Sequence, residues 1–230
     1  PIGVSANRIR GLIESDRVQQ RMAGLREELQ GKRVVLSVER LDYTKGPLAK
    51  LEAFERLLED NPELHGKVTF VDIVTPAARG MKIYEEIQQQ VENAVGRING
   101  RFAKLDWTPV RFFLRSLPFE DVLAYYAVAD VGWITPLRDG LNLVAKEYAA
   151  VQGLTQGKGV LVLSEFAGAA VELQGALRTN PYDDVDMVNQ PYPALTLGDA
   201  ERRDRTAQIA ELVMHPSLDT LGSDSPQAVH

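Results

Sequence analysis

Two basic side chains stand in a short segment that follows an apolar run. The run VVLSV leads into ERLDYTKG, in which Arg40 and Lys45 precede Gly46. Arginine offers a planar fork of donors and lysine a point charge, and together they suit the oxygens of a diphosphate. The segment is therefore a candidate phosphate-binding loop, although a solvated basic loop would have the same residues.

A second segment, PLRDGLNLVAKEY, has the same potential. Asp139 and Gly140 make a turn there, and a helical pattern begins directly after it. The free N–H groups at the start of a helix beside a glycine turn attract anions. Glu147, about one and a half turns into the helix, could accept hydrogen bonds from the vicinal hydroxyls of a ribose. The alternatives are that Asp139 is only a turn residue and Glu147 only a surface acid.

Two more segments add single residues of interest. TPAARGMK contains Arg79, which is either a phosphate clamp or a member of a salt bridge at a helix start. EFAGAA contains Gly168, which permits close approach of another backbone. Neither segment carries a function by itself.

Other common site motifs are absent. The sequence has no G-x-G-x-x-G after the first apolar run and no P-loop. Its three histidines, His65, His215 and His230, form no recognisable triad or metal motif. Asp184-Val185-Asp186 matches the D-x-D that holds a metal in some sugar transferases, but so short a match is common by chance. We therefore expect neither a metal nor a cofactor.

Apolar runs alternate with longer stretches of helical periodicity along most of the chain. Strands are predicted at 34–38, 68–74, 110–114, 131–135, 160–164 and 176–179. The runs are continuous, as in parallel strands covered on both faces. The alternation predicts an α/β fold, a Rossmann-like doubly wound parallel sheet. Ligands bind such sheets at the carboxyl ends of the strands, where the two candidate segments fall.

The helices and the ends of the domain can also be predicted. An opening helix is expected over 8–29 and an ordered domain over 1–213. Residues 214–230 are rich in Ser, Asp, Pro and Gly and are expected to be an unpacked tail. The basic groups at 8–10 and 202–205 are interleaved with acids, so both are interpreted as solvated helix faces.

Composition excludes several classes of protein. The 230 residues carry 26 basic and 32 acidic side chains and no cysteine. The acidic balance argues against nonspecific nucleic-acid binding, and no apolar run is long enough to span a membrane. We expect a cytoplasmic protein with neither nucleic acid nor membrane as a partner, and we leave a homo-oligomer open. The start PIGVSANRIRGL has no secretory pattern and reads as the interior of a longer protein.

Four segments together resemble one known family. SVERLDYTKG, GRINGRFAKLDWTP, DVGWITPLRDGLNLVAKEY and GVLVLSEFAGAAVEL occur in this order and resemble the trehalose-6-phosphate synthase family of retaining glycosyltransferases. That family includes the glucosylglycerol-phosphate synthases, and TPAARGMKIY, RINGRFAKLDWTP and QGLTQGKG are closer to this branch. The resemblance implies a GT-B architecture, of which the chain would be the C-terminal half, with the N-terminal acceptor domain absent.

The resemblance also implies roles for individual residues. Arg40 and Lys45 would hold the donor diphosphate and stabilise it as it leaves, while Asp139 and Gly140 would face the transferred glucose. Arg79 would reach the phosphate of the acceptor. The remaining donor contacts would come from Leu117, which reads the base through its backbone, and from Asn142, Leu143, Val144, Ala145, Lys146 and Glu147.

The resemblance implies a reaction that needs no metal. Glucose would move from a nucleoside-diphosphoglucose, with ADP-glucose favoured, to glycerol 3-phosphate, giving the precursor of a compatible solute. The alternative within the family is a trehalose-6-phosphate synthase that uses UDP-glucose and glucose 6-phosphate. An alternative of another class is a noncatalytic nucleotide-binding Rossmann module. Without its N-terminal domain, the chain is expected to bind donor weakly and to transfer nothing.

Overall fold

The strands form one parallel sheet. The structure, a computed structural model, describes residues 4–77 and 82–214. Within these ranges six strands are hydrogen-bonded in the order β3-β2-β1-β4-β5-β6. Their bounds are β1 (Arg33–Arg40), β2 (Val68–Thr75), β3 (Val110–Leu114), β4 (Val131–Ile134), β5 (Val160–Ser164) and β6 (Leu177–Thr179).

The sheet confirms the predicted α/β class. All the strand pairs are parallel, and each predicted strand overlaps an observed one, with β3 and β5 matching at both ends. The strand order reverses between β1 and β4, and a doubly wound sheet opens a crevice at that point. The loops that follow β1 and β4 are the two candidate segments.

Helices cover both faces of the sheet. They are α1 (Ala6–Ile13), α2 (Asp16–Glu28), α3 (Pro47–Asp60), α4 (Lys82–Phe102), α5 (Phe119–Val128), α6 (Leu143–Leu154), α7 (Asp184–Asn189), α8 (Pro191–Thr196) and α9 (Asp199–Met214). Helices α1, α2, α5, α6 and α9 share one apolar core with the sheet. Helices α3, α4, α7 and α8 share the other, in which Phe70 packs between Phe54 and Trp133. Among the described helices none is both long and apolar enough to cross a bilayer.

The prediction of one opening helix was wrong, because the chain breaks it into two. The break falls at Glu14 and Ser15, between α1 and α2. The hydroxyl of Ser15 donates to the carbonyl oxygen of Leu12 over 2.6 Å and accepts from the backbone N–H of Val18 over 3.4 Å. A serine that caps a new helix in this way satisfies N–H groups at its first turn. The turn lets both helices bury their apolar sides on the same sheet face.

The interpretation of 202–205 as a solvated face was also wrong in part. Arg202 is 1% exposed, whereas Arg203 is exposed as predicted. The guanidinium of Arg202 donates to the carbonyl oxygens of Ala194 and Asp130, each over 2.6 Å. A charged group can be buried when it is hydrogen-bonded in this way, and here it ties α9 to α8 and to the start of β4.

Replacing Arg202 with methionine is expected to destabilise the chain by about 3 kcal/mol. The change removes two hydrogen bonds that a charged donor makes to carbonyl oxygens, although that of Asp130 also accepts from the N–H of Val160 over 2.9 Å. Chemical denaturation would measure the loss. Arg203→Met is the matched control, and we expect it to change the free energy of unfolding by less than about 0.5 kcal/mol. Equal effects of the two substitutions would contradict this account.

The predicted domain end remains a prediction. Helix α9 ends at Met214, so the described residues cover the predicted domain except for residues 1–3 and 78–81. The predicted tail lies outside the described residues apart from its first residue.

Candidate functional site

The crevice between β1 and β4 contains three of the charged residues singled out above, Arg40, Lys45 and Asp139. A cavity of about 300 Å³ opens there, and its walls include Arg40, Lys45, Asp139, Asn142 and Val144. The structure thus brings the two separate candidate segments into one place. All these residues lie at the carboxyl ends of the strands, where such sheets bind ligands.

The loop after β1 is shaped by local hydrogen bonds. The carboxylate of Asp42 accepts from the backbone N–H and the hydroxyl of Thr44, each over 2.8 Å. This closes a short 3-10 turn, Tyr43–Lys45, which ends at Gly46 with a left-handed φ of 62°. The carbonyl oxygen of Thr44 accepts from the N–H of Leu137 over 2.7 Å, which links the loop after β1 to the loop after β4.

Lys45 and Asp139 form an ion pair inside the crevice. The ammonium of Lys45 lies 2.6 Å from Oδ2 of Asp139, and the two side chains are 16% and 19% exposed. Burial alone would raise the pKa of Asp139. The hydrogen bond and the charge of Lys45, helped by the N–H groups of Asn142 and Leu141, outweigh burial and hold that pKa below its ordinary value. Asp139 is therefore a carboxylate at neutral pH.

Arg40 is the exposed cation of the crevice. Its side chain projects from the last residue of β1, and within the described ranges its guanidinium pairs with no carboxylate. An arginine without an internal partner is available to bind an oxyanion from solution. The crevice thus combines one cation already paired and one that is free to bind a ligand.

The loop after β4 is fixed by Asp139 and Asn142. The carboxylate of Asp139 accepts from the N–H of Leu141 over 3.3 Å and from that of Asn142 over 3.1 Å. Asn142 takes a left-handed φ of 51°, and its side chain caps α6 by accepting from the N–H of Ala145 over 2.9 Å. The side chain predicted to contact donor is therefore engaged as a helix cap.

The start of α6 lies at the crevice, whose wall includes Val144. The N–H groups of Leu143 and Val144 have no side-chain acceptor in the part of the chain that the structure describes. Helix starts carry partial positive charge, so these groups and the two cations act on an anion in the same direction. The arrangement is suited to hold a diphosphate.

Glu147, predicted to bind ribose, is oriented by a buried tyrosine. Tyr126 is 1% exposed, and its hydroxyl donates to Oε2 of Glu147 over 3.1 Å. Burial raises the pKa of Glu147 above its ordinary value, while the Tyr126 hydrogen bond and the charge of Arg8 oppose that rise. Tyr126 therefore helps to keep Glu147 ionised.

Replacing Tyr126 with phenylalanine is expected to weaken nucleotide binding about threefold at pH 7, the worth of one hydrogen bond. Because Glu147 loses the bond that lowers its pKa, the variant should also lose affinity more steeply than the parent as the pH falls toward 5. Calorimetric titration with a nucleoside diphosphate at several pH values would measure both effects. Tyr125→Phe is the control, since the Tyr125 hydroxyl makes no hydrogen bond to described residues. Identical pH profiles for all three proteins would refute the coupling.

Among the described residues, the others predicted to contact the substrates do not line the cavity with their side chains. The side chain of Lys146 pairs with Glu172 over 2.8 Å, which leaves its backbone for the predicted contact. Leu117 lies on the loop after β3, at the same edge of the sheet, and is not part of the described cavity wall. Gly140 is exposed at the turn. Arg79 lies outside the described residues.

Two of the residues considered as metal ligands, Asp186 and His65, have other partners, and His215 and His230 lie outside the described residues. Among described residues, no group of three or more acidic or histidine side chains is placed to hold a metal ion. Asp186 accepts from the N–H of Asn180 over 2.6 Å, next to the start of α7. His65 packs against Trp107, and its Nε2 lies 2.7 Å from the carbonyl oxygen of Leu58.

Three charged residues beneath the crevice were not predicted from the sequence. Lys50 of α3 is 1% exposed and contacts Ser37 and Glu39, and Asp72 of β2 is fully buried beside them. One signal was available, because Lys50 lies one turn from Pro47 and from Phe54 on the apolar side of α3. A lysine on the apolar side of a helix is buried, and a buried charge needs a polar or charged partner.

Comparison with known proteins identifies the family. The model of the family described as Glycosyltransferase family 20 matches residues 1–222. The chain belongs to glycosyltransferase family 20. Within this family it is 57% identical over its whole length to a glucosylglycerol-phosphate synthase of Pseudomonas anguilliseptica, of which it covers 30%. It is also 41% identical to a bifunctional trehalose-6-phosphate synthase/phosphatase of Thermoproteus tenax. That match covers 97% of this chain and 30% of that protein.

Solved structures of family 20 proteins share the fold. One is described as trehalose-6-phosphate from E. coli bound with UDP-2-fluoro glucose, with a TM-score of 0.87 and 38% identity over 96% of this chain and 48% of that one. Another is a trehalose-phosphate synthase of Burkholderia xenovorans in complex with glucose-6-phosphate, with a TM-score of 0.86 and 40% identity over 96% and 49%. The chain spans about half of each of these proteins, and the shared fold confirms the predicted GT-B class.

Proposed function

We propose that the chain is the donor-binding half of a retaining glucosyltransferase that moves glucose from a nucleoside-diphosphoglucose to a polyol phosphate. ADP-glucose is the favoured donor and glycerol 3-phosphate the favoured acceptor, giving glucosylglycerol phosphate. One structural observation carries the proposal: Arg40, the Lys45–Asp139 pair and the start of α6 meet in one crevice. The 57% identity to a glucosylglycerol-phosphate synthase supports this acceptor over the alternatives.

The chemistry of the crevice is stabilisation of charge. As glucose leaves the donor, negative charge grows on the departing diphosphate. Arg40, Lys45 and the N–H groups of Leu143 and Val144 are held in place before the reaction, and preorganised donors of this kind lower the barrier where charge develops. In this proposal Asp139 orients Lys45 and faces the transferred sugar.

The acceptor would attack from the same face from which the diphosphate departs. In this proposal the leaving phosphate takes the proton of the attacking hydroxyl, so no protein nucleophile is needed and the sugar keeps its configuration. Arg79 is proposed to contact the acceptor phosphate. The chain covers under half of the curated glucosylglycerol-phosphate synthases to which it is similar, and we expect no turnover from it alone.

Calorimetric titration of the chain with ADP-glucose, UDP-glucose and ADP tests the proposal. We expect weak binding of the donors and of the free diphosphate, unchanged by EDTA because the site uses cations of the protein. A parallel assay with glycerol 3-phosphate and glucose 6-phosphate should show no product. Absence of binding by every nucleotide would refute the proposal.

A second candidate is a trehalose-6-phosphate synthase that uses UDP-glucose and glucose 6-phosphate. The observation in its favour is that the solved structures of similar fold include one with UDP-2-fluoro glucose and one with glucose-6-phosphate. Tighter binding of UDP-glucose than of ADP-glucose would support this second candidate. In either case we expect the enzyme to act in the cytoplasm, as a cysteine-free biosynthetic protein.

A further inference from the structure

A cluster of buried charges lies directly beneath the crevice. Ser37 and Glu39 of β1 point to the same face of the sheet, since side chains alternate along a strand. Asp72 is the β2 partner of Ser37 in the parallel register. From α3, the ammonium of Lys50 donates to the Ser37 hydroxyl over 2.8 Å and to the Glu39 carboxylate. The cluster therefore has two carboxyl groups and one buried lysine, which bonds to Glu39.

One carboxyl group of the cluster, Asp72, is protonated at neutral pH. Lys50 pairs with Glu39, whereas neither carboxyl oxygen of Asp72 has a hydrogen-bond partner in the described part of the chain. Burial, together with the nearby charge of Glu39, raises the pKa of Asp72 to about 8, and Lys50 opposes this only in part. At neutral pH Asp72 is then an uncharged acid, and the cluster carries no net charge.

The cluster belongs to the wall of the proposed donor site. Ser37 and Glu39 line the same cavity as Arg40 and Lys45. Glu39 immediately precedes Arg40. Burial raises the pKa of Glu39, and the charges of Lys50 and Lys45 oppose that rise. Lys50 lies one turn after Pro47, at the start of the helix that Lys45 and Gly46 introduce. A change of charge in the cluster therefore changes the electrostatic potential at Arg40 and Lys45.

We propose that Asp72 is a positioning residue of the donor site, and that donor binding weakens when the buried cluster of Glu39, Lys50 and Asp72 loses its proton. This inference rests on the proposed function, because it assumes that the crevice binds a diphosphate. Ionisation of Asp72 would add one negative charge beneath Arg40 and Lys45. A unit charge in the next layer of residues changes the binding of an anion by roughly tenfold at the effective dielectric of a protein.

The charged neighbours of the cluster are few. Those that act on Asp72 are Glu39 from β1 and Lys50 from α3, and Lys45 acts on Glu39 from the loop. On β3 the register partner of Asp72 is Phe112, and at the end of β4 the buried Thr135 is polar but uncharged. Asp72 is thus the carboxyl group of the cluster without a cationic partner, and the proton that it shares with Glu39 sets the charge of the cluster near pH 8.

Binding of ADP and UDP at pH 7 and pH 9 tests the coupling in the full 230-residue chain. We expect the Kd of the parent to rise roughly tenfold between these pH values. In Asp72→Asn, which mimics the protonated acid, the ratio of the two Kd values should be close to one. Asp106→Asn changes an exposed aspartate in a turn and should keep the ratio of the parent. Equal ratios in the parent and Asp72→Asn would overturn the proposal.

The pH dependence of unfolding tests, without any ligand, whether the buried cluster is protonated at Asp72. Because folding raises the pKa of Asp72, this residue costs the parent stability as pH rises from about 4 to about 8, and no more above that. The unfolding constant of the parent should therefore climb relative to that of Asp72→Asn across this range and then level off. A flat ratio would overturn the proposal. A ratio that climbs without nucleotide binding at any pH would establish the shared proton but refute the donor site, and the coupling with it.

Discussion

Replacing Arg40 with alanine is expected to weaken binding of nucleoside diphosphates about a hundredfold, which corresponds to roughly 3 kcal/mol. The free energy of unfolding should stay within about 0.5 kcal/mol of the parent value. The reason is that Arg40 is exposed and pairs with no carboxylate in the described ranges, so it contributes to a ligand and little to the fold. Calorimetry and chemical denaturation on the same preparation would measure both quantities.

Lys45→Ala should behave differently from Arg40→Ala. It removes the ion pair with Asp139, whose members are each more than four-fifths buried. We therefore expect a similar loss of binding together with a loss of stability of about 2 kcal/mol. Lys158→Ala is the matched control, because Lys158 pairs with Asp199 at the exposed surface. Tight binding by both Arg40→Ala and Lys45→Ala would exclude the crevice as the diphosphate site.

Replacing Gly168 with alanine is expected to destabilise the chain by about 3 kcal/mol or to displace the Asp139 loop. A Cβ atom on Gly168 would lie 1.9 Å from the carbonyl oxygen of Gly140. The N–H of Gly168 also donates to the carbonyl oxygen of Asp139 over 2.8 Å, so the two loops are in backbone contact. If the loop moves to relieve the clash, Asp139 moves with it and donor binding falls.

Thermal unfolding and nucleotide titration would measure the effect of Gly168→Ala. Gly96→Ala is the control, because Gly96 lies in the middle of α4, is exposed and has open space around it. Alanine should stabilise that helix by up to about 1 kcal/mol. If Gly168→Ala were as stable as the parent and bound nucleotide equally well, the contact between the two loops would not matter for the site.

The sheet and the place of the site could be predicted because they depend on local pattern. Continuous apolar runs give buried parallel strands, and the crevice then follows from strand order and the loops after the strands. The sequence placed Lys45 and Asp139 at the same edge of the sheet but did not predict their ion pair. Their distance depends on how two loops 94 residues apart meet across the sheet.

The errors and omissions concern residues whose environment is set by tertiary contacts. Arg202 follows the pattern of a surface helix, yet α8 and β4 supply carbonyl oxygens that bury it. Asp72 sits inside an apolar run, and only the register of β1 against β2 shows that it faces Ser37 and the buried lysine. Ser15 breaks a periodic helix because its side chain can cap a new one. The partners of Arg202 and Asp72 are distant in sequence, so they could not be predicted from local pattern. The cap made by Ser15 is local and could have been predicted.

The central claim is that the crevice between β1 and β4 binds the diphosphate of the donor. Nuclear magnetic resonance of the labelled chain during titration with ADP and UDP tests it most directly. We expect the largest shifts on the amides of Leu143 and Val144 and on those near Arg40, Lys45 and Asp139. Shifts centred elsewhere in the chain, or no shifts at millimolar nucleotide, would contradict it.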